Sequence, residues 1–150
     1  MGPRRGGRGR STERGNLVTI DWPLLESRAI AVRHNAHAPY SAYKVGAALV
    51  TKSGDVFTGC NVENASYGLC LCAERSAIAA MVAAGARDPI ALVVVTKGPK
   101  AGSPCGMCRQ TLAEFALDLP IRLVADGHPG ATRETSLAAL LPDAFRSGDL

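Results

Sequence analysis

Two short segments hold residue types that can do chemistry together: P-C-G-M-C-R-Q at 104–110 and C-A-E-R at 72–75. Cys72, Cys105 and Cys108 offer three thiolates, and Glu74 offers a carboxylate beside them. Zinc takes thiolate sulfur at about 2.3 Å, and when catalytic it keeps three protein ligands and an open fourth position for water. The three-residue step from Cys105 to Cys108 puts both sulfurs on one face of a helix. With 32 residues between Cys72 and Cys105, an intervening strand must bring the two segments together.

In such a site the metal acidifies water, and Glu74 takes the proton and passes it on without binding the metal itself. A buried carboxylate next to a net-negative cluster has a raised pKa, which suits a shuttle. If Cys72 and Cys105 each open a helix, the unpaired amides and positive dipole ends favour thiolate over thiol. Three thiolates on Zn²⁺ still leave a charge of −1. Arg75 and Arg109 each follow a motif residue, and either can donate to sulfur or form a surface ion pair instead. A closed structural zinc knot is the competing reading. It needs a fourth ligand from Cys60 or Cys70 and leaves Glu74 without a role.

The elements that must position these residues follow from caps and periodicity. Asp21 and Pro23 open a helix from Trp22 to about Ala36, with Leu25, Ala29, Val32 and Ala36 on one face. Residues 45–51 and 56–62 read as strands of a hairpin across the turn 52–55. Tyr40 and Tyr43 precede the first strand and suit either a pocket wall or the core. An Ala-rich helix starts near Cys72 and ends at Gly85. Residues 90–96 form a strand buried on both faces. A helix from about Cys105 to Leu117, a strand over 120–125 and a short helix over 136–141 complete the reading. Helix, hairpin, then alternating helices and strands predict an α/β fold with helices on both faces of the sheet.

At 150 residues, with 47% hydrophobic residues, the chain suits one domain, over residues 18–150, that folds without disulfides. Residues 1–17 are Gly- and Arg-rich without apolar periodicity and are expected to be disordered. Their five arginines against Glu13 account for the whole net charge of +4. The remainder is balanced, so a pI near 9.0 argues for no nucleic-acid-binding body. The tail itself is a solvated arm or an RNA contact. No run approaches the 18 apolar residues of a membrane span, and no apolar stretch follows the arginines as a secretory signal would require. A reducing, cytoplasmic setting is expected.

With these residues in view, the chain resembles the small homotetrameric cytidine deaminases. The matching motifs are A-P-Y-S-A-Y-K-V-G-A-A-L at 38–49, G-C-N-V-E-N-A-S-Y-G at 59–68, C-A-E-R-S-A-I at 72–78 and P-C-G-M-C-R-Q at 104–110. The resemblance implies a three-layer α/β/α sandwich on a five-stranded mixed sheet. It implies one Zn²⁺ per chain on Cys72, Cys105 and Cys108, with Glu74 as the catalytic acid/base. It implies that Asn61 and Glu63 bind the ribose hydroxyls and that the Tyr43 ring lies against the pyrimidine, where relatives usually carry Phe. It further implies a homotetramer with shared sites, in which the segment Ala65 to Tyr67 and the C-terminal Phe145 reach a neighbouring subunit's substrate. Cys70 is a departure from the family pattern and is expected to be a packed core residue.

The implied reaction is hydrolytic deamination of cytidine and deoxycytidine to the uridines with release of ammonia. A deaminase of a modified cytosine nucleoside, such as a blasticidin-like antibiotic, is the alternative. Polynucleotide editing or RNA binding through the tail is a third reading, which the neutral body disfavours.

Overall fold

The computed structural model describes residues 18–150, so the expectations for the tail, disorder or RNA contact, lie outside the described residues. Helix α1 spans Trp22–Arg33, with the Asp21 side chain accepting from the Leu24 N–H at 3.0 Å. It stops three residues short of the expected Ala36. From His34 to Ala36 the chain instead makes bonds to the third residue back, so the last turn tightens. Strands β1 (Gly46–Thr51) and β2 (Val56–Cys60) form the expected antiparallel hairpin. β2 ends two residues early because the chain leaves β1 at Asn61. There the His37 N–H bonds to the Asn61 carbonyl, and Val62 exchanges both backbone bonds with Leu71.

Helix α2 (Ala73–Ala83) is followed by β3 (Pro89–Lys97), α3 (Gly106–Ala113), β4 (Pro120–Asp126), β5 (Arg133–Ser136) and the single turn α4 (Leu137–Leu140). α3 is shorter than expected, since the Phe115 and Ala116 N–H groups both turn back onto the Leu112 carbonyl. The polar strand R-E-T-S of β5 carries no apolar alternation, and sequence reading of the elements missed it. It is held to β4 by register and by a cross-strand ion pair, Arg122 to Glu134 at 2.6 Å.

The sheet order is β2-β1-β3-β4-β5, with β3 and β4 parallel and the other pairs antiparallel. Alternate residues of the central strands feed two cores. Ala48, Val50, Ala91, Val93 and Val95 meet Leu25 and Ala29 of α1 on one face. Ala47, Leu49, Leu92, Val94, Ile121 and Leu123 meet Ala77, Met81, Leu112 and Leu137 of α2, α3 and α4 on the other. This is the expected three-layer α/β/α sandwich on a five-stranded mixed sheet. Gly59 sets the distance of α2 from the sheet. A Cβ there would lie 2.3 Å from the Ala77 nitrogen and 2.4 Å from the Ala73 carbonyl, so only glycine lets the start of α2 settle against β2.

Candidate active site

Cys72 and Cys105 are the N-cap residues of α2 and α3, both in extended backbone conformation, and Cys108 lies in the first turn of α3. The helix starts therefore converge, and their three sulfurs cluster within 4.8 Å of one another. Cys72 Sγ is 3.8 Å from Cys105 Sγ, which is 3.6 Å from Cys108 Sγ. Thiolates arranged tetrahedrally at about 2.3 Å from zinc would stand about 3.8 Å apart. The donor set thus fits zinc in both chemistry and spacing. Neither Cys60 nor Cys70 joins the cluster among the described residues, which removes the fourth ligand that a closed structural knot would need.

The electrostatics are those of a site prepared for a cation. Hydrogen bonding from Cys108 is the main cause that holds the Cys72 thiol down, at about 5; partial burial opposes it, and Cys105 and the Arg75 guanidinium assist. Cys108 is pushed up, first by the same contact with Cys72 and then by burial. Burial opposes the charge of Arg75, yet its attraction to Cys72 prevails and keeps the guanidinium protonated. Its NH2 donates to the Cys70 carbonyl at 2.7 Å, and its Nε is buried with no protein hydrogen-bond partner among the described residues. The expectation that Arg109 also serves the sulfurs is not met. One position beyond Cys108 turns it about 100° around the helix, and it bonds the Pro104 and Leu140 carbonyls, each at 2.8 Å, and the Ser103 hydroxyl at 3.3 Å. Arg109 therefore braces the loop before Cys105 against α4.

Glu74, 4% exposed, lies in the first turn of α2. Burial is the first cause that raises its carboxyl above the ordinary range, and the negative Cys72 adds to it. Glu74, Cys72 and Cys105 open into a cavity of about 300 Å³, which Tyr43, Asn61 and Glu63 also line. Tyr43 is 45% exposed, which makes it a wall residue rather than a core one. Tyr40 lines an adjoining groove, its ring edge-on to Tyr67 at 6.4 Å. Asn61 and Glu63 also hold the loop that precedes β1. Asn61 Oδ1 accepts from the Val45 N–H and its Nδ2 donates to the Tyr43 carbonyl, both at 2.8 Å. Glu63 Oε2 accepts from the N–H groups of Tyr40 at 2.9 Å and Ser41 at 3.2 Å, and Ser41 Oγ donates to Oε1.

Cys70 is not in the core. It lines the cavity, and its sulfur accepts from the Asn64 N–H at 3.3 Å. Ala65, Tyr67 and Phe145 are exposed, and none of them lines this cavity. Sequence reading missed Ser41, Thr96 and Gly102. Ser41 lies within a quoted motif, so its place beside Glu63 was open to suspicion. Thr96 and Gly102 carried no local signal.

A family model described as the cytidine and deoxycytidylate deaminase zinc-binding region matches residues 24–121. A cytidine deaminase of Sporosarcina psychrophila is 46% identical over 134 residues, covering 87% of this chain and 96% of its own. One of Halalkalibacterium halodurans is 40% identical over 131 residues, covering 87% and 98%. Among solved structures, the cytidine deaminase from Burkholderia pseudomallei superposes with a TM-score of 0.78 at 48% identity, covering 84% of this chain and all of that one. The converging helix starts that hold Cys72, Cys105 and Cys108, and the family match that spans Cys72 and Cys105 and runs on past Cys108, lead to one conclusion: the chain belongs to the cytidine and deoxycytidylate deaminase family.

Proposed function

We propose that the protein deaminates cytidine and deoxycytidine hydrolytically, releasing ammonia and the corresponding uridines, as a step of pyrimidine salvage. The observation that carries this reading is one cavity lined by two of the three clustered sulfurs, Cys72 and Cys105, by the buried carboxyl of Glu74, and by Asn61, Glu63 and Tyr43.

Cys72, Cys105 and Cys108 would hold zinc, which would supply the Lewis acidity that lowers the pKa of water toward neutral. Glu74 takes the proton of the attacking water and delivers it to the ring nitrogen next to C4. The new C4–O bond forms at that stage. Glu74 then moves the proton of the new C4 hydroxyl to the amine, the C4–N bond breaks as the C4 carbonyl forms, and ammonia leaves. A carboxyl whose burial weakens its charged form returns such protons readily. Arg75 offsets the negative charge of the thiolates. Asn61 keeps one N–H, and Glu63 Oε1 keeps a lone pair, beyond the bonds they make to the loop, and these suit sugar hydroxyls. The Tyr43 ring meets the face of the pyrimidine.

The reading takes residues 18–150 as one catalytic domain in a homotetramer. Tyr67 and Phe145, 77% and 59% exposed, would reach neighbouring sites, with Ala65 on the same segment as Tyr67. Sedimentation tests this, because a monomer with full activity excludes shared sites. Five free thiols fit a cytoplasmic setting, and no described helix is long and apolar enough to cross a membrane.

The deciding experiment is loss of cytosine absorbance on cytidine and deoxycytidine, with zinc measured on the same sample. Turnover with about one zinc per chain, as expected of a three-ligand site, supports the assignment. Zinc without turnover overturns it. A panel including blasticidin-like nucleosides tests the alternative, which the relatives' names do not favour.

A further inference from the structure

The segment Tyr40-Ser41-Ala42-Tyr43 joins two adjoining hollows: Tyr43 lines the cavity, Tyr40 and Ser41 line the groove beside it, and Glu63 lines both. Ala42 has φ of 55°, a left-handed conformation uncommon for a residue with a side chain. Such a backbone persists only where its surroundings over-determine it. The bonds around it do so. The Ala42 N–H reaches the Ala38 carbonyl at 3.0 Å. On one side Ser41 Oγ donates to Glu63 Oε1. The same oxygen accepts the N–H of Tyr43 at 3.0 Å, on the other side of Ala42. A single hydroxyl therefore links the carboxylate assigned to the sugar with the residue whose ring faces the base.

We propose that Ser41 is a positioning residue that couples recognition of the sugar at Glu63 to the placement of the Tyr43 ring. The inference rests on the proposed reading that Glu63 meets the sugar. The hydroxyl aims one Glu63 oxygen, leaving its free lone pair toward the cavity, and anchors the Tyr43 amide so that Ala42 stays left-handed. Ser41 touches neither the reacting carbon nor the metal ligands, so its loss should act on binding rather than on chemistry. Its hydroxyl is also the first of the contacts that keep the Glu63 carboxyl below its ordinary range.

The test uses the full-length, zinc-loaded protein with deoxycytidine and with 2′,3′-dideoxycytidine, which lacks the sugar hydroxyl that Glu63 would bind. Ser41→Ala is expected to raise KM for deoxycytidine about fivefold, the worth of one hydrogen bond, with kcat changed less than about twofold on the same scale. KM for the dideoxy substrate should rise less. Ser41→Thr, which keeps the hydroxyl, should recover most of the loss. In a Glu63→Ala background, Ser41→Ala should add only the smaller loss that comes from the Tyr43 amide, because the sugar-side contact is already gone. The acid limb of 1/KM should move to higher pH in Ser41→Ala, since Glu63 loses its main stabilising contact. An unchanged KM in Ser41→Ala, equal penalties on both substrates, or a full additional loss in the Glu63→Ala background overturns the proposal. These outcomes differ from failure of the functional reading itself, in which the unsubstituted protein turns over neither nucleoside.

Discussion

The Tyr43 hydroxyl stands over Gly102: a Cβ on Gly102 would come within 2.8 Å of that oxygen and 2.9 Å of Thr96 Cγ2. Among the described residues the hydroxyl has no hydrogen-bond partner, so the missing side chain, rather than a polar contact, accommodates the extra oxygen of Tyr43. Thr96 keeps the glycine in place by accepting its N–H at 2.9 Å. Overpacking of this size costs about 1–3 kcal/mol. Gly102→Ala is expected to push the ring into the cavity and raise KM for cytidine about tenfold. Adding Tyr43→Phe should recover much of it. Steady-state kinetics on the two single variants and the double variant check this; an additive double variant would show that the two residues are not coupled.

Glu74 is the one buried acid among the described residues and faces the cavity beside the sulfurs. Glu74→Gln should lower kcat by at least about a hundredfold, the lower range for general acid–base catalysis. Zinc content should stay at the level of the unsubstituted protein, because the carboxyl is not among the clustered ligand atoms. Metal analysis and turnover on one preparation distinguish lost chemistry from lost metal.

The sulfurs tie α2 to α3, two helices that share one core but come from separate stretches of chain. A ligand that binds only the folded state adds about 2.7 kcal/mol at a hundredfold excess over its Kd. Chelation should therefore lower the melting temperature and abolish turnover, with zinc restoring both. The melting temperature of Cys108→Ser should respond to the chelator far less. An identical shift in that variant would move the metal elsewhere.

Arg33, 7% exposed, runs from α1 to the loop that carries Tyr43, donating from Nε to the Lys44 carbonyl at 2.9 Å and pairing with Asp126 at the end of β4. Removing one partner of a buried pair costs about 3–5 kcal/mol. Because the Asp126 side chain is 35% exposed, water replaces part of the loss, and Asp126→Ala should cost about 2 kcal/mol. The double substitution Arg33→Met with Asp126→Leu should cost less than that single change. Denaturant unfolding of the variants measures both.

Sequence alone determined the parts of this protein that depend on neighbours along the chain. Asp21 and Pro23 marked the start of α1, Gly85 the end of α2, and the apolar run after it the central strand, because caps, left-handed glycines and periodicity act within a few residues. C-A-E-R and P-C-G-M-C-R were legible as a metal site because thiolate spacing at a helix start is itself a local geometry. The tertiary structure decided what depends on distant backbone. Arg109 lies in a metal motif yet spends its guanidinium on Pro104, Ser103 and Leu140, and Asn61 and Glu63 brace a loop some 20 residues upstream as well as facing the cavity. The polar strand β5 exists because β4 presents an open edge and Arg122 a charge for Glu134. Nothing in the residues beside Tyr43 announces that Gly102 makes room for its hydroxyl. A side chain's partners are chosen by which buried groups the packed sheet and helices leave in need of one, and that choice exists only once the layers have closed.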